Sequence, residues 1–399
     1  MGAIQVSKVL AGIRVLEYTH VISGPFCGML LGDLGADVIK MERPGDGEFY
    51  RSEALKNDKG VSLVYPNYNR NKRSFTLNLQ ADEGKEITLD LIRNSDIFIE
   101  NLRPGLLKKK GLSYDDLKKV NPGLIMVSIS GFGQTGPYAS KTAYDMTIAA
   151  ISGFMSVNGV DGIPLKSGPA ISDFLSGIYG ALAALAALRH REMTGEGQYI
   201  DISMMECSMS ILDAFFAQSK FTGVDPIGLG NRRANYAPVN AFRTKDGFVY
   251  IAASLQKNWE LLARLMNRED LITNPLYEKA PIRKTNEASL EKIVEEWTST
   301  FTTREILELL DAHNMPCAPV QSISDVMNDP HVKERKSIME FDYPDVGAYP
   351  VAGHTPKYST LETSFRRAPM LGENNEEIYC GFLGYSKEKY EKLKSEAII

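Results

Sequence analysis

The chain has 399 residues, of which 43% are hydrophobic and 24% charged, and 45 Lys and Arg residues against 50 Asp and Glu residues give a net charge of -5. These values are ordinary for a folded protein and exclude disordered, collagen-like and coiled-coil chains. The charge balance lacks the basic excess that phosphate-backbone binding requires, so we expect no nucleic-acid partner.

Up to about residue 206, strand-like apolar runs alternate with helical segments. Strands are predicted at residues 13–18, 37–41, 74–79, 96–100 and 124–129, and helices at residues 26–34, 82–93 and 114–120. This alternation predicts parallel pairing with crossover helices, which is a doubly wound, Rossmann-like α/β domain. Because such sheets bind ligands at the carboxyl ends of their strands, we expect the functional site in the loops at residues 20–25, 42–47, 101–105 and 130–137.

The pattern changes after about residue 222. Two apolar runs flank Lys245-Asp246-Gly247, which predicts a β-hairpin, and helices follow at residues 259–265, 289–297 and 303–313. Residues 224–325 therefore read as a smaller α+β domain, and a last helix is predicted from about Lys387.

Cysteine usage and the first residues bear on the cellular compartment. The four cysteines are far apart and form no Cys-x-x-Cys pair, which predicts free thiols, a reducing compartment and no zinc site. The first twenty residues lack the pattern of a secretory signal. The most apolar stretch, residues 174–188, is shorter than the roughly twenty residues that span a bilayer. We therefore expect a cytoplasmic protein with no membrane partner and a buried helix at residues 174–188.

Several cofactor motifs are absent from the sequence. The first predicted strand is followed by HVISGP, which lacks the Gly-x-Gly-x-x-Gly spacing, and no Walker-type loop occurs, so we expect neither NAD nor ATP. The five histidines are scattered, which predicts no metal site and structural or surface roles for each. The segment SGFGQ lacks the serine-hydrolase pattern and is interpreted as either a glycine loop lining a site or a plain turn.

Cationic residues recur near the predicted strand ends. We expect them to meet on one rim of the sheet, where they could hold the phosphates of a nucleotide-like ligand; the alternative is a set of separate solvated charges. They are Lys40, Arg43, Lys72, Arg73, Arg103, Lys108, Lys109 and Lys110.

Asp173 lies immediately before a small-residue helix. Its local sequence favours a capping role, since an aspartate there can accept from free amides and oppose the helix dipole. The other residues around it favour a functional role, because a Gly-rich helix follows it and the chain has a second acidic residue in Tyr144-Asp145.

Along essentially its whole length the chain resembles the class III CoA-transferase family, which includes formyl-CoA and carnitine CoA-transferases and the related α-methylacyl-CoA racemases. The matching stretches include LAGIRVLEYTHVISGPFCGMLLGDLGADVIKMERPGDG, NRNKRSFTLNL, GKEITLDLIRNSDIFIENLRPG, NPGLIMVSISGFGQTGPY, AYDMTIAAISGFMSVNG, SDFLSGIYGALAALAAL and TGEGQYIDISMMEC.

The resemblance implies two interlocked subunits of a homodimer. It places residues 1–205 and 330–399 in a large CoA-binding domain and residues 224–325 in the small domain, joined by residues 206–223 and 326–329. Asp173 takes the position of the family's nucleophile. The implied coenzyme A contacts are Ile22, Ser23, Arg43, Leu77, Asn78, Leu79, Gln80, Asn101, Leu102, Arg103, Lys109, Tyr144 and Asp145.

The implied activity is transfer of CoA from an acyl-CoA donor to a free carboxylic acid through an aspartyl-CoA thioester, without metal or NAD. Two features depart from the formyl-CoA branch: no tetraglycine run occurs, which argues against formyl-CoA as donor, and Gln80 replaces a lysine at the edge of the adenine site. The segment GLGNRRANYAPVN is interpreted either as the surface that replaces the glycine loop, with two arginines that bind a second carboxylate, or as a domain linker.

Two rival functions are weighed. Family racemases carry a His-Asp pair where this chain has Tyr144-Asp145, and a tyrosine with a pKa near 10 is a poor base at neutral pH. A non-catalytic CoA-binding homologue is expected to have lost Asp173 or the basic residues, and this chain keeps both. CoA transfer is therefore the favoured function.

Overall fold

The structure is a computed structural model that describes residues 8–52, 55–361 and 363–399. The chain forms two compact units. The first comprises Met1–Met155, Lys166–Phe221 and Arg335–Ile399, and the second comprises Ser156–Leu165 and Thr222–Glu334. Residues 156–165, which the sequence analysis places in the large domain, thus group with the second unit.

The strands of the described residues are numbered in chain order. They are β1 (Arg14–Tyr18), β2 (Asp37–Glu42), β3 (Lys72–Thr76), β4 (Ile97–Glu100), β5 (Ile125–Ser130), β6 (Gly159–Val160), β7 (Ile163–Pro164), β8 (Tyr199–Ser203), β9 (Val239–Arg243), β10 (Phe248–Ala252), β11 (Cys317–Pro319), β12 (Ile338–Tyr343) and β13 (Gly347–Ala352).

The α-helices are numbered in the same way, and a 3₁₀-helix (Glu269–Leu271) and a π-helix (Glu377–Phe382) accompany them. They are α1 (Ser23–Asp33), α2 (Phe49–Ser52), α3 (Pro66–Asn69), α4 (Asp82–Arg93), α5 (Leu106–Lys109), α6 (Tyr114–Val120), α7 (Asp145–Ile151), α8 (Phe154–Val157), α9 (Ile171–Thr194), α10 (Met204–Met209), α11 (Phe215–Thr222), α12 (Gln256–Leu265), α13 (Ala280–Thr285), α14 (Glu287–Thr298), α15 (Thr303–Asp311), α16 (Ile323–Asn328), α17 (Pro330–Glu334) and α18 (Lys387–Ser395).

A six-stranded parallel sheet in the order β3-β2-β1-β4-β5-β8 forms the centre of the first unit. Alternate residues of a strand face opposite sides, so Leu16 joins one apolar core and Val15 the other. The strand order reverses between β1 and β4, so the loops after these strands leave a crevice at their carboxyl ends. The predicted parallel α/β architecture is confirmed, while β8 was missed and β3 begins two residues earlier than predicted.

Helix α9 packs against α1 in one of the two apolar cores, and the two helices approach each other closely at a glycine of α9. A Cβ at Gly177 would lie 2.8 Å from the Ser23 carbonyl oxygen, so only glycine permits this close approach. The 24-residue helix is long and apolar enough to cross a membrane, and half of its most apolar 18-residue stretch is buried inside the protein. Core helices of soluble proteins have the same composition, so this property alone is weak support for a membrane span.

A buried ionic cluster, formed by Glu17, Lys40 and Lys72, lies beneath the loop that follows β1. The Glu17 carboxylate accepts from Lys40 Nζ at 2.9 Å and from Lys72 Nζ at 3.0 Å. The two ammonium groups also donate to the carbonyl oxygens of Thr19 (3.0 Å) and Pro25 (2.8 Å). The cluster therefore holds both ends of the loop that carries residues 20–22.

This cluster corrects part of the predicted basic rim. Lys40 and Lys72 are buried beside Glu17, where ion pairing offsets the cost of removing a charge from water. Arg73 lies near the start of β3, where it pairs with Asp37 and Glu377. These three cations are structural and do not form a phosphate-binding rim.

The second unit contains the predicted hairpin. Strands β9 and β10 pair antiparallel on either side of residues 244–247, and β11 pairs with β10. Arg232 is bound to Glu291 at 2.8 Å and to Glu287 at 3.4 Å. Arg232 is therefore paired within its own unit, and this pairing does not favour the interpretation in which it binds a second substrate carboxylate.

Candidate active site

A cavity of about 370 Å³ opens at the carboxyl ends of β1, β4 and β5, at the crevice where the strand order reverses. The lining includes six residues that the sequence analysis assigned to the site, which the fold brings together from four separate segments. They are Ser23, Asn101, Leu102, Arg103, Tyr144 and Asp173.

Asn101 joins the two loops that form the crevice. Its Oδ1 accepts from the backbone amide of His20 at 2.8 Å, and its Nδ2 donates to the His20 carbonyl oxygen at 2.8 Å and to Ser23 Oγ at 3.0 Å. All polar atoms of this side chain are thus used to fix the loop after β1 against the loop after β4. Asn101 therefore shapes the cavity from within.

His20 lines the cavity and lies in the loop at residues 20–25 that the sequence analysis expected at the site, but its imidazole was given only a structural or surface role. Burial, with a further contribution from the charge of Lys40, lowers the pKa of His20 to about 4. Its imidazole is therefore neutral at physiological pH and can donate or accept one hydrogen bond without bringing a charge into the cavity.

Val21, also in the lining, has a left-handed backbone with φ of 68°. This conformation is strained for a β-branched residue. Its amide donates to Glu48 Oε2 at 3.0 Å, and Glu48 is fully buried. The buried carboxyl group thus stabilises a backbone turn that the valine would otherwise avoid.

Asp173 lies in the first turn of α9, is 9% exposed and faces the cavity. The start of α9 at Ala170 has no side-chain cap, and within the described chain the Asp173 carboxylate accepts no hydrogen bond. Burial, followed by the charge of Asp145, raises the pKa of Asp173 to about 7. The geometry therefore provides no support for the capping role and leaves a buried carboxylate without a hydrogen-bond donor beside the cavity.

Asp145 begins α7, is 8% exposed, and accepts from the backbone amide of Ser172 through Oδ1 at 2.8 Å. Its carboxylate satisfies an amide in the first turn of α9, one residue from Asp173. This contact brings two acidic residues that are 28 positions apart in the sequence close together. The predicted CoA contact of Asp145 stays a prediction.

The other predicted CoA-binding residues lie outside the cavity lining. Leu77 and Leu79 are buried in the apolar core, so only their backbone can meet a ligand. Gln80 Oε1 accepts from Lys110 Nζ at 2.8 Å, which brings a cation to the position where the formyl-CoA branch carries a lysine. Of the remaining predicted contacts, Ile22 is buried, and the backbone amide of Asn78 donates to the carbonyl oxygen of Ile398. Arg43 and Lys109 are exposed.

Ser130, Gly131 and Lys141 also line the cavity. The Ser130 hydroxyl is buried and has no hydrogen-bond partner among the described residues. The glycine loop that starts here was predicted as either a site loop or a plain turn, and the structure shows that Ser130 and Gly131 belong to the cavity. Within residues 8–52, 55–361 and 363–399, no group of three His, Cys, Asp or Glu side chains is placed to hold a metal ion.

Residues 10–375 match the sequence profile of CoA-transferase family III. The chain belongs to this family. It is 38% identical over 400 residues to the succinyl-CoA–L-malate CoA-transferase beta subunit of Chloroflexus aurantiacus, covering 98% of each chain. It is 34% identical to the formyl-CoA:oxalate CoA-transferase of Streptomyces coelicolor, covering 98% of this chain and 100% of that protein.

The fold agrees with this membership. A crystal structure of a CaiB/BaiF family protein from Brucella suis superimposes with a TM-score of 0.86 and 32% identity, covering 94% of this chain and 99% of that one. The protein is thus a CoA-transferase, which exchanges CoA between an acyl-CoA thioester and a carboxylic acid. The predicted transferase function is confirmed.

Proposed function

We propose that Asp173 is the nucleophile of this CoA-transferase and that the reaction passes through an aspartyl-CoA thioester. The observation that supports this most strongly is a buried carboxylate on the cavity that has no hydrogen bond from any described residue. A structural aspartate in a helix start accepts amide hydrogen bonds, whereas a nucleophile must keep an oxygen available.

The proposed reaction has two matched halves. An Asp173 oxygen attacks the thioester carbonyl, the C–S bond breaks, and an acyl-aspartyl anhydride and CoA thiolate form. The thiolate attacks the aspartyl carbonyl, which releases the donor's free acid and leaves aspartyl-CoA thioester. The acceptor carboxylate then attacks that thioester to form a second anhydride, and the thiolate attacks its acyl carbonyl, which releases the new acyl-CoA and restores Asp173.

The electrostatics of the site fit this chemistry. A carboxylate with a raised pKa is more basic, and hence a better nucleophile, than an ordinary aspartate. Acylation removes a charge that burial and Asp145 both disfavour, so forming the covalent intermediate relieves part of that electrostatic cost. The first turn of α1, at Ser23, meets the same cavity and has no side-chain cap at Ile22. Its positive dipole end can stabilise an oxyanion.

We propose that coenzyme A binds across the carboxyl edge of the sheet, with its reactive end in the cavity. Arg103 lines the cavity, and exposed Lys108 and Lys109 follow it in α5. These cations, together with Arg43, are suited to bind the phosphates. Lys110 beside Gln80 extends the positive charge toward the proposed adenine end.

We propose succinyl-CoA as the donor and a short dicarboxylic or hydroxy acid as the acceptor. The names of the two relatives support this, since one is a succinyl-CoA–L-malate CoA-transferase subunit and the other a formyl-CoA:oxalate CoA-transferase. The lack of a tetraglycine run favours the succinyl-CoA relative. The proposal also includes an interlocked homodimer in the cytoplasm, which rests on the family resemblance and on the scattered cysteines.

The test of the nucleophile is chemical trapping. The enzyme mixed with succinyl-CoA alone should accumulate the thioester, because no second acid discharges it. Hydroxylamine should convert it to a hydroxamate and borohydride should reduce it to an alcohol, and mass spectrometry should locate both on the Asp173 peptide. Asp173→Asn should show no label. Label on another acidic residue in the wild type would assign the nucleophile elsewhere.

A further inference from the structure

A row of aromatic side chains passes beside Asp173. This aromatic row consists of Phe49, Tyr50, Tyr68, Phe174 and Phe26, with ring centroids separated in turn by 5.9, 6.1, 5.9 and 5.0 Å. Phe174 follows the nucleophile directly in α9, so the Tyr68 ring contacts the side chain adjacent to the reacting group. None of the five lines the cavity proposed for the reactive end of CoA, so the row borders Asp173 outside that lining.

The two tyrosines of the row have unusual phenol groups. Burial, with a contribution from the charge of Asp173, raises the pKa of both, and that of Tyr50 to about 12. Both hydroxyls therefore keep their protons near neutral pH, and both lie close enough to Asp173 to respond to its charge.

Neither hydroxyl binds another residue in the part of the chain that the structure describes. Tyrosines of the same unit differ in this respect: Tyr349 donates to the Leu63 carbonyl oxygen at 2.7 Å and Tyr379 to that of Thr76 at 2.7 Å, whereas the buried Tyr114 hydroxyl has no partner among the described residues. Two half-buried donors without partners, next to a nucleophile, have the properties of a binding site that is completed by a ligand.

We propose that Tyr50 and Tyr68 form the acyl-group subsite, where they donate hydrogen bonds to an oxygen that the substrate acid carries in addition to its reacting carboxyl group. This inference rests on the proposed role of Asp173. It names the substrate class as short acids with a second carboxylate or a hydroxyl group.

The chemistry of the row explains why that class is selected. An acid with a second oxygen gains hydrogen bonds from the two half-buried phenol donors, and an acid without one does not. A second carboxylate is compatible with the site because Asp173 loses its charge on acylation. Glu48, which also acts on Tyr50, has a pKa raised by burial.

The test compares three four-carbon acceptors with propionyl-CoA as donor: succinate, 3-hydroxybutyrate and butyrate. In the wild type, kcat/KM for succinate or 3-hydroxybutyrate should exceed that for butyrate about tenfold or more, the ratio that about 1.4 kcal/mol represents. The first two acids distinguish a carboxylate from a hydroxyl as the bound group. A wild type that uses butyrate as well as both others would overturn the proposal.

The variants Tyr50→Phe and Tyr68→Phe remove only the hydroxyls. Each should lower kcat/KM for the preferred acid about tenfold, leave butyrate within about twofold, and keep the ring packing and thermal stability. Tyr358→Phe, at a tyrosine that stacks on His354, is the matched control and should change nothing. An equal loss with all three acids would show that the phenols are structural, and no loss would show that they do not touch the acid.

Trapping of Asp173 with propionyl-CoA separates the two proposals. The Phe variants should still give the Asp173 hydroxamate at nearly the wild-type rate, since propionate carries no second oxygen. Normal labelling together with unchanged acid selectivity in the Phe variants would refute the proposed subsite and leave the nucleophile assignment intact. Absent labelling in the wild type with altered selectivity in the variants would sink the nucleophile assignment and leave the subsite.

Discussion

The ionic cluster and the pair Asp145 and Asp173 are two of the groups of buried charges in the first unit, and they are compensated in opposite ways. In the ionic cluster, Glu17 is fully buried between two lysines within 3.0 Å. At the proposed active site, Asp145 and Asp173 are almost as buried, and no ion pair to a described residue neutralises either one. The ionic cluster stabilises the loop after β1. The two aspartates destabilise the folded state locally, and the stability of the rest of the fold compensates for this.

The pKa shifts express the same contrast. Burial alone would raise the pKa of Glu17, but the charges of Lys40 and Lys72 outweigh it and lower the pKa. Burial also raises the pKa of Asp173, and there the neighbouring charge of Asp145 adds to the effect. Matching acid-to-amide substitutions in the two groups should therefore have opposite effects on stability.

The largest expected effect is on catalysis at the active site. Asp173→Asn should lower kcat/KM for CoA transfer by about 10⁴-fold or more, because a carboxamide cannot form the anhydride or the thioester. Steady-state kinetics with succinyl-CoA measure this loss. Activity within about tenfold of the wild type would contradict the proposed nucleophile.

The next effect is on stability at the ionic cluster. Glu17→Gln leaves two ammonium groups buried without their counterion, so the free energy of unfolding should fall by about 3–5 kcal/mol. Urea denaturation near pH 7 measures it, with Glu340→Gln, at an exposed residue of β12, as the control. A change below about 1 kcal/mol would show that the cluster is less tightly coupled than its distances indicate.

The same Asp173→Asn variant should be more stable than the wild type above neutral pH. The folded pKa of about 7 lies above the ordinary 3.8, so ionisation costs the folded state stability that is lost as pH rises from about 4 to about 7. The amide never ionises, so the gain should be near zero at pH 4 and reach a few kcal/mol at pH 8, at about 1.4 kcal/mol per pKa unit. Urea denaturation at the two pH values measures it. A variant that is destabilised at pH 8 would refute the contrast.

Local patterns in the sequence predicted most of the fold. The bounds of α4 match the prediction because its apolar residues recur at helical spacing between an acidic first turn and a final arginine. Strand β8 was missed since its alternating polar residues give no continuous apolar run. The burial of Lys40 and Lys72 was also missed, because their partner Glu17 lies 23 and 55 residues away in the sequence. Nothing local distinguishes such lysines from exposed ones.

For the candidate site, the sequence predicted individual residues but not the hydrogen bonds that join distant segments. Asp173 stands out in the sequence because it adjoins a run of small residues and because the family resemblance aligns it with the family's nucleophile, although the structure places it inside the first turn of α9 and not before the helix. The clamp by Asn101 and the cap on Ser172 were not predictable, because each joins segments that only the folded sheet brings together. The aromatic row likewise draws its members from α1, α2, α3 and α9.

The smallest predicted effect separates the charge of Asp145 from its hydrogen bond. Asp145→Asn keeps an oxygen that can accept from the Ser172 amide but removes the charge that acts on Asp173. The acid limb of the kcat/KM profile, which we expect near pH 7 in the wild type from the raised pKa of Asp173, should therefore move to lower pH. Because burial is the larger cause of the raised pKa, the limb should stay above the range of an ordinary aspartate. Activity at pH 6 relative to pH 8 should rise about two- to fivefold, as expected when a carboxylate loses a like-charged neighbour. Asp145→Ala removes the acceptor as well, so it should lower kcat across the whole pH range by disturbing the first turn of α9. An unchanged acid limb in Asp145→Asn would show that the two carboxylates do not communicate, and the contrast with the ionic cluster would then rest on burial alone.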